Sequence, residues 1–271
     1  MTRLFCLTLI VVLASDLSLS AQQKDPPKKF TNSLGMEFAL VPKGKSWLGG
    51  EFGEQGTAVN MTHDFYLSVY EVTQEQWEKV MSKNPSYFSR GGKGADAVKM
   101  IADADLKRFP VENVSWDEAK EFAKLLNEKV KEAGWEYRLP TKQQWEYACR
   151  GGPMTDKAES AFDFYLDKPS NTLSKKQANF VDSGLNRTCK VGSYPPNRLG
   201  LHDMHGNVWE WCEDQFNPKD DPKEDPARVY GGGCWGRTAA HCRAGIRLRF
   251  APSVQLSDLG FRLARVPSTS K

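Results

Sequence analysis

From Asn32 onward the apolar positions first alternate, then recur at helical spacing, then lose any long period. Glu37 to Val41 is a short apolar run stopped by Pro42 and Gly44, Trp47-Leu-Gly-Gly reads as a second strand and its turn, and Phe65 to Tyr70 alternates as a third. Thr73-Gln-Glu-Gln76 has the capping-box spacing, and Trp77, Val80 and Met81 share one helical face before the Asn84-Pro85 stop. The same box at Ser115-Trp-Asp-Glu118 opens the longest helix, whose stripe of Ala119, Phe122, Ala123, Leu126 and Val130 runs towards Gly134. Thr141-Lys-Gln-Gln144 starts a third helix, through Trp145, Ala148 and Cys149 to Gly151-Gly152. Residues 86–112, with Gly91, Gly92, Gly94 and Phe109-Pro110, read as an irregular surface segment. Beyond Gly152 only short apolar pieces survive, such as Val229-Tyr230 and Phe261 to Ala264. The pattern is α+β, loop-rich and without an internal repeat.

The densest chemistry lies between Gly200 and Cys212, which holds turn formers, carboxylates, histidines, tryptophans and a thiol. Gly206 and Asn207 tolerate positive φ, so His-Gly-Asn predicts a tight turn, and Val208-Trp-Glu-Trp211 behind it predicts a buried strand. His202 and His205 have a His-x-x-His spacing, but no third zinc ligand stands at a useful distance, and a turn does not supply the one-turn helical geometry.

Composition sets the frame for that chemistry. With 271 residues, 39% hydrophobic and 26% charged, the chain has material for one large domain or two small ones. A net charge of +3, without a run of five lysines and arginines, gives no electrostatic case for nucleic acid. Arg3, the apolar Leu4 to Ala14 and the small residues Ser18, Ser20 and Ala21 have the layout of an export signal over residues 1–21. That apolar run is too short to span a bilayer, so no stable membrane span is expected after cleavage. Residues 22–30 then read as a solvated linker, and 267–271 as a tail. Export places Cys149, Cys189, Cys212, Cys234 and Cys242 where disulfides are allowed, and their odd number leaves at least one thiol free, paired with another chain, or chemically active.

Ordered blocks run through most of the chain: Tyr70-Glu-Val-Thr-Gln-Glu-Gln-Trp77, Pro110 to Ala119, Arg138-Leu-Pro-Thr141, Trp145-Glu-Tyr147, Gly200 to Trp211, Arg228 to Trp235 and Gly260-Phe-Arg262. Through them the chain resembles the formylglycine-generating enzyme (sulfatase-modifying factor) family. The resemblance implies a single loop-rich domain over residues 31–266 with a C-type-lectin-like core. It also implies an oxidase that uses oxygen and a copper ion on two cysteines to convert a sulfatase cysteine to formylglycine. Cys242 matches the second of those cysteines, Arg237 stands at the first, and Cys234 replaces the usual serine. A soft monovalent copper wants thiolates, and a guanidinium has no lone pair to give. Cys242 and Cys234 are therefore the candidate redox or copper residues, or else structural, with Cys242 paired to Cys212 or Cys234. Trp209 matches an active-site tryptophan, against plain core packing. The resemblance also maps a calcium site onto the Asp203 side chain, the Gly206 and Val208 carbonyls and the Glu210 carboxylate, a hard-oxygen set. The competing reading has Asp203 capping the turn and Glu210 in an ion pair. A second calcium site would start at Asn179 and the Phe180 carbonyl, with Asp182 beside them. His241 could lower the Cys242 pKa if charged, and the arginines at 243, 247, 249 and 262 read first as ion-pair and surface partners. Two functions follow: an exported copper-dependent oxidase acting on a sulfatase, or a catalytically silent, calcium-stabilised domain that binds a peptide, glycan or protein.

Overall fold

Each of the three capping boxes starts a helix in the computed structural model, which describes residues 28–50, 53–216 and 227–268. The proposed export signal and most of the linker lie outside the described residues. Helix α1 (Gln74–Met81) begins at Thr73 and ends at Ser82, whose φ of +59° turns the chain out of the helix. Two single turns, α2 (Ala95–Val98) and α3 (Asp103–Leu106), interrupt the segment expected to be irregular. Helix α4 (Trp116–Val130) stops before Gly134 because Lys131 already takes the left-handed conformation, and α5 (Lys142–Cys149) follows Thr141. In all three boxed helices the cap side chain accepts the N3 backbone N–H while the N3 side chain returns to the cap N–H. Each such cap contributes about 1 kcal/mol.

The strands in chain order are β1 (Lys29–Thr31), β2 (Glu37–Val41), β3 (Gly44–Leu48), β4 (Thr57–Met61), β5 (Phe65–Ser68), β6 (Trp135–Arg138), β7 (Phe164–Tyr165), β8 (Pro169–Ser170), β9 (Trp209–Gln215), β10 (Arg228–Gly231), β11 (Leu248–Phe250), β12 (Leu259–Gly260) and β13 (Ala264–Pro267). A five-stranded sheet has the order β1-β2-β5-β13-β6, and a four-stranded sheet the order β11-β10-β9-β12. Lys29 and Phe30, expected in the linker, are the first strand of the larger sheet, and Pro267, expected in the tail, is the end of its β13. The strand expected over Phe65 to Tyr70 ends at Ser68, whose hydroxyl donates to the Tyr70 carbonyl and accepts the Leu263 N–H.

Both faces of the larger sheet are covered. Phe38 and Tyr66 pack with α1 and α4, where Trp77 and Phe122 stack at 5.3 Å with Phe261 edge-on to both. Ala39, Val41, Phe65 and Leu67 on the other face pack with Trp145, Tyr147 and Ala148 of α5. The two sheets meet at Phe261-Arg262-Leu263, which links β12 to β13. Val72 donates to the Phe261 carbonyl and Ser68 to the Leu263 carbonyl, so Arg262 is held fully buried at the junction.

Candidate functional site

Strand β9 starts where the predicted turn places it. Gly206 has φ +152° and lies so close to the Asn179 carbonyl that a β-carbon would collide with it, and Asn207 follows at +67°. Along β9, Trp209 and Trp211 face Tyr230 of β10 at ring distances of 5.3 and 5.8 Å, while Glu210 and Cys212 turn to the opposite, equally buried side.

Glu210 meets Arg262 there. The guanidinium donates from Nε to Oε2 at 2.7 Å and from Nη2 to Oε1 at 2.8 Å, a bidentate pair with both side chains fully buried. The Trp145 indole donates a third bond to Oε2 at 2.7 Å. Arg262 also donates to the carbonyls of Ser68 and His202, so its fork ties β5, the 200–206 loop and β9 together. Burial works against the Arg262 cation, but Glu210, Glu71 and Asp203 outweigh it and hold the group above its ordinary value. Glu71 accepts from the Asn207 side chain at 2.6 Å and from the Val208 N–H at 3.2 Å. Burial, then the neighbouring Asp203 and Glu210 charges, push its carboxyl well above the usual range. Asp203, at φ +59°, accepts the Gly192 N–H at 2.7 Å and is raised mainly by burial.

The residues expected at the first calcium site are thus neighbours around one turn. Both Glu210 oxygens are engaged by Arg262 and Trp145, the ion pair that was the competing reading. At the second, the Asn179 side-chain oxygen accepts from the Ser183 hydroxyl at 2.8 Å and the Phe180 carbonyl accepts the Ser183 N–H at 2.8 Å. Asp182 stands beside them in a short 3-10 turn. Among the described residues, no three His, Cys, Asp or Glu side chains form a group able to hold a metal ion. His205 is a core residue: Nε2 accepts the Tyr165 N–H at 2.9 Å, Nδ1 donates to the Cys242 carbonyl at 2.8 Å, and burial lowers its pKa to about 4.

The five cysteines from Cys149 onward are buried free thiols, where a pairing of Cys242 with Cys212 or Cys234 was expected. The reason is that the three side chains enter different apolar clusters. Cys234 packs with the tryptophans of β9 and donates to the Asp258 carboxylate at 3.2 Å, and Cys212 packs on the α5 side of the fold. Cys242 sits with Phe164, Ala178 and Phe180, its sulfur directed at the Thr238 carbonyl. At Gly233, with φ +81°, a β-carbon would strike the Cys242 sulfur, so that thiol lies against the backbone next to Cys234. Burial pushes the Cys242 thiol up to about 12 and that of Cys234 higher still, with the Asp258 charge adding to it. His241 is exposed and close to the Thr238 hydroxyl, 3.1 Å from Nδ1. Arg243 is mostly buried, with Nε donating to the Ala240 carbonyl, whereas Arg247 and Arg249 lie over the Phe216 ring.

Arg237 instead borders a cleft. Trp209, Tyr230, Leu248, Phe250, Arg237 and Asp258 line a hollow of about 190 Å³ on the face of the four-stranded sheet. Tyr230 stacks on Phe250 at 4.7 Å, which gives it an aromatic wall. Of this set the sequence singled out Trp209 and Arg237. Tyr230 and Phe250 come together through the β10–β11 pairing, and Asp258 through the Trp209 N–H bond to its carbonyl, neither of which leaves a local pattern.

Comparison with known proteins matches this architecture. The chain is 29% identical over 258 residues to the serine/threonine-protein kinase pkn1 of Chlamydia caviae, covering 86% of this chain and 38% of that protein. It is 33% identical over 173 residues to the formylglycine-generating enzyme of Streptomyces coelicolor, covering 57% of this chain and 52% of that protein. The chain thus spans from about two fifths to half of the length of these relatives. Among solved structures, Treponema denticola variable protein 1 superposes with a TM-score of 0.68 at 27% identity, covering 88% of this chain and 98% of that one. The loop-rich α+β domain with a C-type-lectin-like core is the fold of this chain. The model of the sulfatase-modifying factor enzyme 1-like domain matches residues 22–267, and the chain belongs to that family.

Proposed function

We propose that this chain is an exported, ligand-binding member of the family that does not carry out copper-dependent cysteine oxidation. The observation that carries the reading is the placement of Cys234 and Cys242 in different apolar clusters, with Arg237 at the cleft. An aromatic hollow of about 190 Å³ suits one side chain of a bound polypeptide. In this reading the Glu210–Arg262 ion pair does the bracing that calcium was expected to do at Asp203, Gly206, Val208 and Glu210. Asn179 and Phe180 brace the neighbouring loop through Ser183. Export rests on the layout of residues 1–21, and N-terminal sequencing of secreted protein tests it.

The oxidase arm of the test incubates the purified protein with copper, oxygen and a Cys-x-Pro-x-Arg peptide and looks by mass for the aldehyde. None is expected, and its formation would overturn the proposal. The binding arm selects peptides from a random library against the protein and repeats the selection with Leu256→Arg, which places a bulky cation on an exposed residue of the cleft. Enriched peptides should lose binding to that variant. A library that yields none, or peptides indifferent to the change, would refute binding at the cleft.

A further inference from the structure

We infer that the cleft is an anion receptor, built for a carboxylate or phosphate carried on an aromatic or aliphatic stem. The inference rests on the ligand-binding reading above and names the class of ligand. Arg237 is exposed at the rim, and among the described residues its guanidinium makes no hydrogen bond, ion pair or ring contact. Other arginines of the fold are committed: Arg90, Arg150, Arg198, Arg262 and Arg265 hold carboxylates, and Arg228, Arg247 and Arg249 lie on rings. An uncommitted planar fork over an apolar wall is the arrangement that recognises carboxylates and phosphates.

Two more donors line the same hollow. The Trp209 indole N–H and the Tyr230 hydroxyl make no hydrogen bond among the described residues. Their side chains are almost entirely buried, at 3% and 5% exposure, yet neither polar atom is among those sealed from solvent without a partner. Buried tryptophan and tyrosine ordinarily satisfy these groups within the protein, so these two donors are left available to an acceptor from outside. Burial and then the Asp258 charge raise the Tyr230 pKa, and the Arg237 charge lowers it, so the hydroxyl shares its space with both the carboxylate and the guanidinium. The opposing charge is Asp258, whose Oδ2 already accepts the Cys234 thiol. His241 stands on the rim beside Arg237. Tyr230, Phe250 and Leu248 supply the surface on which the stem of the ligand rests.

The test is calorimetric titration of the full chain with four probes that share one aromatic stem: phenylacetate, phenyl phosphate, 2-phenylethanol and phenethylamine. The anions should bind at least about tenfold more tightly than the alcohol, with the amine weakest. Arg237→Gln should erase the preference for anions without changing the melting temperature, because the residue is exposed and unpaired. Arg237→Lys should restore part of it, and Tyr230→Phe should weaken the anions about threefold while sparing the alcohol. Equal binding of all four probes, or a preference that survives Arg237→Gln, would refute the anion receptor while leaving a binding cleft in place. Failure of every probe would also overturn it. The ligand-binding reading would then stand or fall separately, on whether library peptides sensitive to Leu256→Arg are recovered.

Discussion

Replacing Arg262 by methionine removes the cation that faces three buried carboxylates, Glu71, Asp203 and Glu210. The side chain is fully buried and holds a bidentate pair with Glu210 together with bonds to the Ser68 and His202 carbonyls, so no water can take its place without opening the junction of the sheets. Breaking a buried pair by deleting one partner costs roughly 3–5 kcal/mol. In a domain of this size that corresponds to a fall in melting temperature of roughly 6–20 °C. The loss should depend on pH in a definite direction. Glu71 and Asp203 already have folded pKa values above their unfolded ones, and removal of the cation raises them further. A carboxyl raised on folding stabilises the native state below its unfolded pKa and loses that contribution as pH rises, so the gap between variant and wild type should widen from about pH 5 to 7. Urea denaturation at both pH values measures it, with Arg262→Lys, which keeps the charge but not the fork, falling between. A cost under about 1 kcal/mol at pH 7, or a gap that narrows as pH rises, would refute the argument.

Four further outcomes are expected. Glu112 is fully buried, accepts the Tyr87 and Phe88 N–H groups, and is raised by burial from 4.5 to about 8; wild-type stability should fall between about pH 5 and 8 by up to roughly 5 kcal/mol from this group, and Glu112→Gln should flatten that slope in urea titrations. Ser115→Ala should cost about 1 kcal/mol, read by thermal unfolding, because it removes the cap of α4. Treatment with EDTA should leave the melting temperature unchanged if the Glu210–Arg262 pair braces the turn, and a fall reversed by calcium would restore the ion to that site. A thiol reagent should find Cys149, Cys189, Cys212, Cys234 and Cys242 unreactive in the native protein and modify them all once it is unfolded; rapid reaction of Cys242 with the folded chain would contradict its burial.

The helices were legible because their starts are written locally. Thr73, Ser115 and Thr141 each carry both halves of a reciprocal cap within four residues. Short strands such as β1, β4 and β12 are chosen by partners far along the chain, and β12 is only Leu259-Gly260 lying parallel to β9. The turn at Gly206 and the strand behind it were visible, since positive φ and aromatic residues leave a local signature. What the stretch binds to was not. Glu210 between two tryptophans announces a buried carboxylate in need of a partner, but a sequence does not say whether that partner is an ion or Arg262, which lies in another sheet junction. The cysteines show the same limit: nothing in their spacing says that Cys234 and Cys242 enter different apolar clusters.

In the larger sheet β13 is an interior strand, bonded to β5 on one side and to β6 on the other, although it is made after both. During synthesis these earlier strands must wait with a vacant lane between them, and the junction charges stay unbalanced until Arg262 arrives just ahead of that last strand. The larger sheet therefore closes only after the C-terminal strand is available. Premature termination even a few residues before β13 would leave β5 and β6 with open edges and yield an aggregation-prone product in place of a slightly weakened domain.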